Sequence, residues 1–401
     1  MKVKLSDVCS SIYDGDHSAP PKSSSGIPFV TISNFDPSDG EIDFTNTAYV
    51  PVEYYESLKL ERRPMKNDVL YSVVGSFGIP SLVKSESEFV FQRHIAILRP
   101  NELIDPRYLY YVMKNRDFYH WADSVAIGAA QRTVTLGQLR SKEIELPEIE
   151  AQRRIAGVLS AYDELIENNR RQIKLLEEAA QRLYKEWFID LNYPGHESTP
   201  IHNGLPEGWR VMRVSELCET VGGGTPSTKE ASYYEGGTIP WVTPTDVTHN
   251  NCLALLQPSK YITQEGLSHS SAKLLPARSI LMTSRATVGY FAICNQEVCT
   301  NQGFISCIPS DDRHRWFLLL ALMSKADGIR SLASGSTFKE ISKSNFRTIG
   351  LLFPSEQVLN RFDRAIEPIY EQLYALQQQI SAAREARDRL LPKLMSGEIE
   401  V

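Results

Sequence analysis

Apolar residues along the chain fall into two kinds of pattern, and each kind occurs twice. In the middle, Ile155, Leu159, Tyr162, Ile166, Asn169, Ile173, Leu176, Ala180, Leu183 and Trp187 recur in alternating steps of four and three residues. This is a sustained heptad, and its seam requires a partner helix. Near the end, Phe362, Ile366, Ile369, Leu373, Leu376, Ile380, Ala383, Arg387, Leu390 and Leu394 repeat those steps. Ile155 to Phe362 and Trp187 to Leu394 are both 207 residues apart, so the seam carries no slip. A rise of about 1.5 Å per residue makes the first helix roughly 55–60 Å long. Pro368 lies inside the second and is expected to bend it, with Pro392 and Gly397 marking its end. Antiparallel pairing would bury both seams and set a globular copy at each end of the pair, related by a pseudo-two-fold axis. Two tandem domains, each packed on its own helix, are the alternative.

Shorter signals show that the chain is two copies of one unit. Lys4-Leu5-Ser6-Asp7-Val8-Cys9 returns as Arg213-Val214-Ser215-Glu216-Leu217-Cys218, and Ile27-Pro28-Phe29-Val30-Thr31 as Ile239-Pro240-Trp241-Val242-Thr243. Strand-like runs bounded by turn residues cover 28–32, 69–74 and 89–98, then 239–243, 280–283 and 304–308. Helical spacing covers 106–121 and 313–325. The expected fold class is α+β: two similar mixed α/β domains, 1–148 and 191–354, separated by two long antiparallel helices, 149–190 and 355–401, forming a coiled coil.

A chain of 401 residues, 42% hydrophobic and 23% charged, has the composition of folded globular domains and the length for two of them. The start turns polar too early for a signal peptide, and the run 316–323 is too short to span a bilayer, so a soluble, cytoplasmic protein is expected. Cys9, Cys218, Cys252, Cys294, Cys299 and Cys307 form no CxxC pair and read as reduced, half-buried residues, with no metal site. A net charge of −6 argues mildly against nucleic acid, yet where charge sits counts for more than its sum.

Polar residues gather in the loops, and there the copies differ while their apolar positions agree. Asp16, His17, Asn34, Ser76, Gln92, Arg93, Gln131 and Arg132 are the candidates in the first domain. Thr225, Ser227, Thr243, Thr245, Asp246, Ser284, Arg285, Asn301, Gln302, Ser336, Thr337 and Lys339 are those in the second. Arg pairs with guanine and Asn or Gln with adenine, so these types suit base edges and phosphates. Drift of surface residues, and plain glycine-proline turns at 13–21 and 221–227, are the bland readings. His17 and His94 read as binding or structural, because no carboxylate or nucleophile recurs beside them in the second copy.

No ATP loop is present, since Gly222-Gly223-Gly224 runs into Thr225-Pro226, and Asn192-Tyr193-Pro194-Gly195 is a poor match to an adenine-methyltransferase motif. With Gly204-Leu205-Pro206-Glu207-Gly208-Trp209, Gly223-Gly224-Thr225-Pro226-Ser227, Ala151-Gln152-Arg153-Arg154-Ile155 and the ending 390–399, the layout resembles the specificity subunit of Type I restriction-modification systems. The resemblance spans essentially the whole chain and implies two target-recognition domains, each reading half of an interrupted double-stranded DNA site. The helices would set the gap and dock two adenine-N6 methyltransferase subunits, alongside restriction or translocase subunits. It implies a non-catalytic chain without cofactors, with S-adenosylmethionine, ATP and Mg on the partners. Val358-Leu359-Asn360-Arg361 copies the first junction loosely, which leaves the start of the second helix open. A pseudo-dimeric nuclease and an architectural spacer are the rival readings.

Overall fold

The strands of the first copy are β1 (Lys2–Lys4), β2 (Cys9–Asp14), β3 (Ile27–Val30), β4 (Ala48–Val50), β5 (Val69–Ser72), β6 (Pro80–Leu82), β7 (Val90–Phe91), β8 (Ile95–Pro100) and β9 (Glu143–Glu145). A small hairpin, β10 (Ile201–His202) and β11 (Leu205–Pro206), precedes the second copy. There follow β12 (Arg210–Arg213), β13 (Cys218–Gly222), β14 (Ile239–Val242), β15 (Tyr261–Ile262), β16 (Ile280–Thr283), β17 (Phe291–Ile293), β18 (Cys299–Thr300), β19 (Phe304–Pro309) and β20 (Gly350–Phe353). The sheets match strand for strand. Order β2-β8-β5-β6 recurs as β13-β19-β16-β17, β4-β3-β7 as β15-β14-β18, and β1-β9 as β12-β20. Even the parallel strand pairing of β3 with β7 is repeated by β14 with β18. β5 and β16 lie at the centre, and every residue of both is buried, which is why they read as unbroken apolar runs rather than alternating ones.

The computed structural model describes residues 1–401 except Ala130, Ser336 and Thr337. It divides into one unit of Met1–Leu165 with Ala383–Val401 and another of Ile166–Ala382. The run 89–98 is two strands, because Gln92-Arg93-His94 turns between β7 and β8. The helix expected over 106–121 is also two, Pro106–Lys114 and Arg116–Val125, since Asn115 adopts an extended ψ of 141° between them. Its counterpart is likewise Arg315–Ser324 followed by Ala326–Ser331. The six cysteines are free and buried rather than half-buried.

The first long helix runs Ile149–Tyr184 and continues as a π-helical turn, Lys185–Ile189. Gly157 lies inside it, where an added Cβ would meet nothing within 4 Å. The second runs Glu356–Ser396 without a break at Pro368 or Pro392. Pro392 therefore does not end it. Buried Leu391 and Leu394 flank that proline and offset its one missing hydrogen bond, and the stop falls at Gly397, with φ +74°.

In the first unit Ile155, Ala156 and Leu159 share a core with Leu391, Leu394 and part-buried Leu390, and Asp163 pairs with Arg387 at 2.5 Å. In the second, Asn169 Nδ2 donates to Gln379 Oε1 at 3.0 Å, and the Trp187 and Phe362 rings lie 5.5 Å apart. Within each unit rising numbers on one helix thus meet falling numbers on the other, so the segments are antiparallel. Ile166, Ile173, Phe362, Ile366, Leu373, Leu376 and Ile380 are buried, while Tyr162, Leu176 and Leu183 are half-buried. Ile369 is also half-buried; beside it Tyr370 is buried against Trp316, ring centroids 4.6 Å apart.

Two polar residues occupy the seam: Asn169 is 2% and Arg387 1% exposed. Arg387 faces Asp163 and Asp388, and Tyr111 Oη donates to the other oxygen of Asp163 at 2.6 Å. Removing one partner of a buried pair strands the other charge, so Arg387→Ala is expected to destabilise the first unit by about 3–5 kcal/mol. Urea unfolding followed by helix signal measures this.

Beside that pair Lys114 Nζ donates to Tyr110 Oη at 2.8 Å, and Tyr110 Oη donates to the Asp39 carbonyl at 2.7 Å. Burial pulls the Lys114 ammonium from its ordinary 10.5 down to about 8, against the attraction of Asp163. Its folded value lies below its unfolded one, so the unfolded chain binds the proton more tightly. The contribution of Lys114 should therefore become more favourable as pH rises from about 8 toward 10.5. Lys114→Met should flatten that rise, measured as unfolding midpoints near neutral pH and again between the two values.

Candidate nucleic-acid interface

In the second unit the loop after β13 is fastened to β18. Gly224 N donates to the Thr300 carbonyl at 2.9 Å, and Trp241 Nε1 donates to the Gly224 carbonyl at 3.0 Å. A Cβ on Gly223 would lie 2.1 Å from the Thr300 carbonyl oxygen. Glycine is required there by chain packing. Thr225 Oγ1 donates to Gln302 Oε1, and Asn301 Oδ1 accepts from Gly303 N at 2.8 Å and shapes the turn that presents Gln302.

Backbone bonds then join the remaining loops: Ser284 N to Gly303 O at 2.7 Å, Ile341 N to Ser284 O at 3.0 Å and Ala286 N to Lys339 O at 2.8 Å. Together they enclose a cleft of about 410 Å³ lined in part by Thr245, Arg285, Asn301, Gln302 and Phe338. Ser227 and Lys339 are exposed. Ser336 and Thr337 lie outside the described residues.

The first unit assembles the corresponding loops. Gly15 packs so closely on β7 that a Cβ would stand 2.4 Å from the Phe91 carbonyl oxygen, and Asp16 pairs by backbone with Gln92. Val73 N donates to His94 O at 2.8 Å and Gly75 N to Arg132 O at 3.0 Å. Around this junction Ser76, Arg93 and Gln131 are exposed. Gln92 Nε2 lies 2.6 Å from His94 Nδ1.

Asp16 Oδ2 accepts from Tyr54 Oη at 3.1 Å and Oδ1 from Arg62 at 3.3 Å, while Asp14 meets His17 at 3.0 Å. Burial raises the Asp16 carboxyl, but hydrogen bonds from Ser18 and Tyr54 and the Arg62 charge outweigh it and leave the group below its ordinary value. An ionised carboxylate repels phosphate and accepts from a base amino group such as that of cytosine.

Four candidates face inward. Asn34 Oδ1 accepts from Thr31 N and Oγ1, both at 2.9 Å, and Asp246 Oδ2 accepts from Thr243 N and Oγ1, both at 2.7 Å. Burial raises the Asp246 carboxyl, and bonds from Thr243 and Ser259 more than reverse it. These are capping boxes, and Thr-x-x-Asn and Thr-x-x-Asp were their signal. Thr243 is thereby occupied as well, and Ser284 is 2% exposed. Arg132 is exposed but tied to Asp123. Tyr54, Arg62, Phe77 and Phe338 also surround the charged residues; for Phe338 alone, exposed in a polar loop, did the sequence offer a sign, since Tyr54 sits in a short helix and Phe77 is half-buried. Among the described residues no cluster of His, Cys, Asp or Glu is placed to hold a metal, and no helix is long and apolar enough to cross a membrane.

The family model of the Type I restriction modification DNA specificity domain matches residues 1–178 and 206–385. This chain belongs to that family, whose members are the non-catalytic specificity subunits of Type I systems. It is 27% identical over 315 residues to the MjaIX specificity subunit of Methanocaldococcus jannaschii, covering 75% of this chain and 71% of the relative. It is 23% identical to the HindI specificity subunit of Haemophilus influenzae, covering 83% of this chain and 87% of the relative. The crystal structure of the Type I S subunit from M. genitalium shares the fold, with a TM-score of 0.59 at 16% identity over 98% of this chain and 95% of that one.

Capping and reading separate by experiment. Asn34→Ala and Asp246→Ala are expected to lower stability by about 1 kcal/mol each. Arg93→Ala and Gln131→Ala should leave thermal unfolding unchanged while weakening DNA binding by the complex.

Proposed function

We propose that the chain reads a bipartite, asymmetric DNA site, one half through each domain. The observation that carries this is one scaffold repeated strand for strand, with loops joined at equivalent places but bearing different polar groups: Asp16, Gln92 and Arg93 against Thr225, Arg285 and Gln302. The two antiparallel helix segments in each unit support a second part of the reading, that the helix pair fixes the unread gap. Two adenine-N6 methyltransferase subunits would dock on the helices and bring S-adenosylmethionine, and restriction or translocase subunits would bring ATP and Mg. A cytoplasmic location suits those partners.

Arg285→Ala and Gln302→Ala should each relax the second half-site by about 1–3 kcal/mol while the first is still read. Sequencing of DNA methylated by the assembled complex checks this, and equal loss at both halves would overturn it. Four residues inserted between Trp187 and Asn192 add about one helical turn, roughly 5–6 Å, against about 3.4 Å per base pair. The unread gap should lengthen by about one or two base pairs with both half-sites kept, and an unchanged gap with surviving activity would show that the helices are not the ruler.

A further inference from the structure

We propose that Phe338 and Glu340 form a cradle that holds the Arg285 guanidinium for one guanine of the second half-site, making Phe338 a positioning residue for specificity. The inference rests on the reading of Arg285 as a base contact. Ser334 and Glu340 pair by backbone, Ser334 N donating to Glu340 O at 3.0 Å and Glu340 N to Ser334 O at 2.9 Å. Glu340 also forms a backbone bridge with Arg285, and Ala286 N donates to Lys339 O at 2.8 Å, so Lys339 and Glu340 lie alongside the loop that carries the arginine.

The side chains follow the backbone. The guanidinium carbon of Arg285 stands 5.9 Å from the centroid of the Phe338 ring, and its Nε lies 3.8 Å from Glu340 Oε2. Phe338 is 57% exposed, an aromatic ring on the wall of a cleft that it shares with Thr245, Arg285, Asn301 and Gln302 and with the small apolar Pro244 and Ala286. A ring so placed contributes little to a core. Against an arginine it restricts a long, mobile side chain and meets the guanidinium by its face, leaving the edge free for O6 and N7 of guanine.

The first unit makes the same kind of pair with the roles exchanged. There the arginine, Arg132, lies beside Thr133, which bridges by backbone to Ile127, and the loop after β5 supplies the ring, Phe77, 5.5 Å from the guanidinium carbon. Both terminal nitrogens of Arg132 go to Asp123, one to its carboxylate and one to its carbonyl. Its hydrogen-bonding edge is occupied. Among the described residues the polar contact of the Arg285 guanidinium is the Glu340 ion pair at 3.8 Å, which leaves donors for a base. The cradle therefore acts on the second half-site alone.

The test uses the full chain assembled with its methyltransferase subunits, a library of DNA sites varied at each read position, and methylation scored by sequencing. Arg285→Ala should relax one guanine position, and Phe338→Ala the same position by about two- to fivefold, the range of an exposed cation–π contact. Phe338→Trp should retain the preference, Glu340→Gln should weaken it, and Phe338→Ala added to Arg285→Ala should have no further effect. Preference at the first half-site should stay fixed throughout. Relaxation of a different base by Phe338→Ala, or additivity in the double variant, would overturn the cradle and show the ring touching DNA itself. If Arg285→Ala moves no position, the base-contact reading fails first and the cradle with it.

Discussion

Each recognition domain stands on a seam built from one end of each long helix, and the ties between domain and seam decide where the reading loops point. In the first unit Tyr111 reaches Asp163 on one helix, and Asp163 reaches Arg387 on the other, so three elements meet at one carboxylate. In the second unit Arg278 pairs with Glu367 at 2.6 Å, Trp316 Nε1 donates to the same carboxylate at 2.6 Å, and Glu177 accepts from Leu253 N at 2.7 Å. Buried or half-buried, these bonds make turning a domain on its seam expensive, because each broken one leaves a polar group without water.

The two copies reach the same end by different chemistry. Position 163 of the first helix corresponds to 370 of the second by the constant offset, and an aspartate in one unit is a tyrosine packed at a tilt against Trp316 in the other. The scaffold tolerates this exchange because apolar strands and sheet order carry the fold. Recognition loops vary more freely still, since main-chain bonds join their backbones at equivalent places in both units, with Trp241 and Asn301 adding side-chain ties in the second. The reciprocal pairs, Arg132 on Phe77 and Arg285 on Phe338, show how one loop arrangement yields two different surfaces.

The heptads, the repeat and the central strands were legible because their periods follow directly from which face is buried. Pro392 misled because a local rule about proline ignores the core that Leu391 and Leu394 supply on either side. Asn34 and Asp246 show the opposite limit: a short polar side chain serves a base edge or its own backbone equally well, and the Thr three residues earlier was the sign of the caps that both form. The turns at 13–21 and 221–227 gave no sign in sequence that Gly15 and Gly223 are needed for the chain's own close packing against β7 and β18. Phe338 went unread because its partner is 53 positions away in sequence, at Arg285.

The most direct test replaces the second domain, from β12 through β20, with a copy of the first, β1 through β9, keeping both long helices. Sequencing of the DNA methylated by the resulting complex should then reveal a symmetric interrupted site, the first half-site followed by its inverted copy. Retention of the original asymmetric site, or methylation at one continuous sequence, would contradict the account of one scaffold reading each half separately on an antiparallel helix pair.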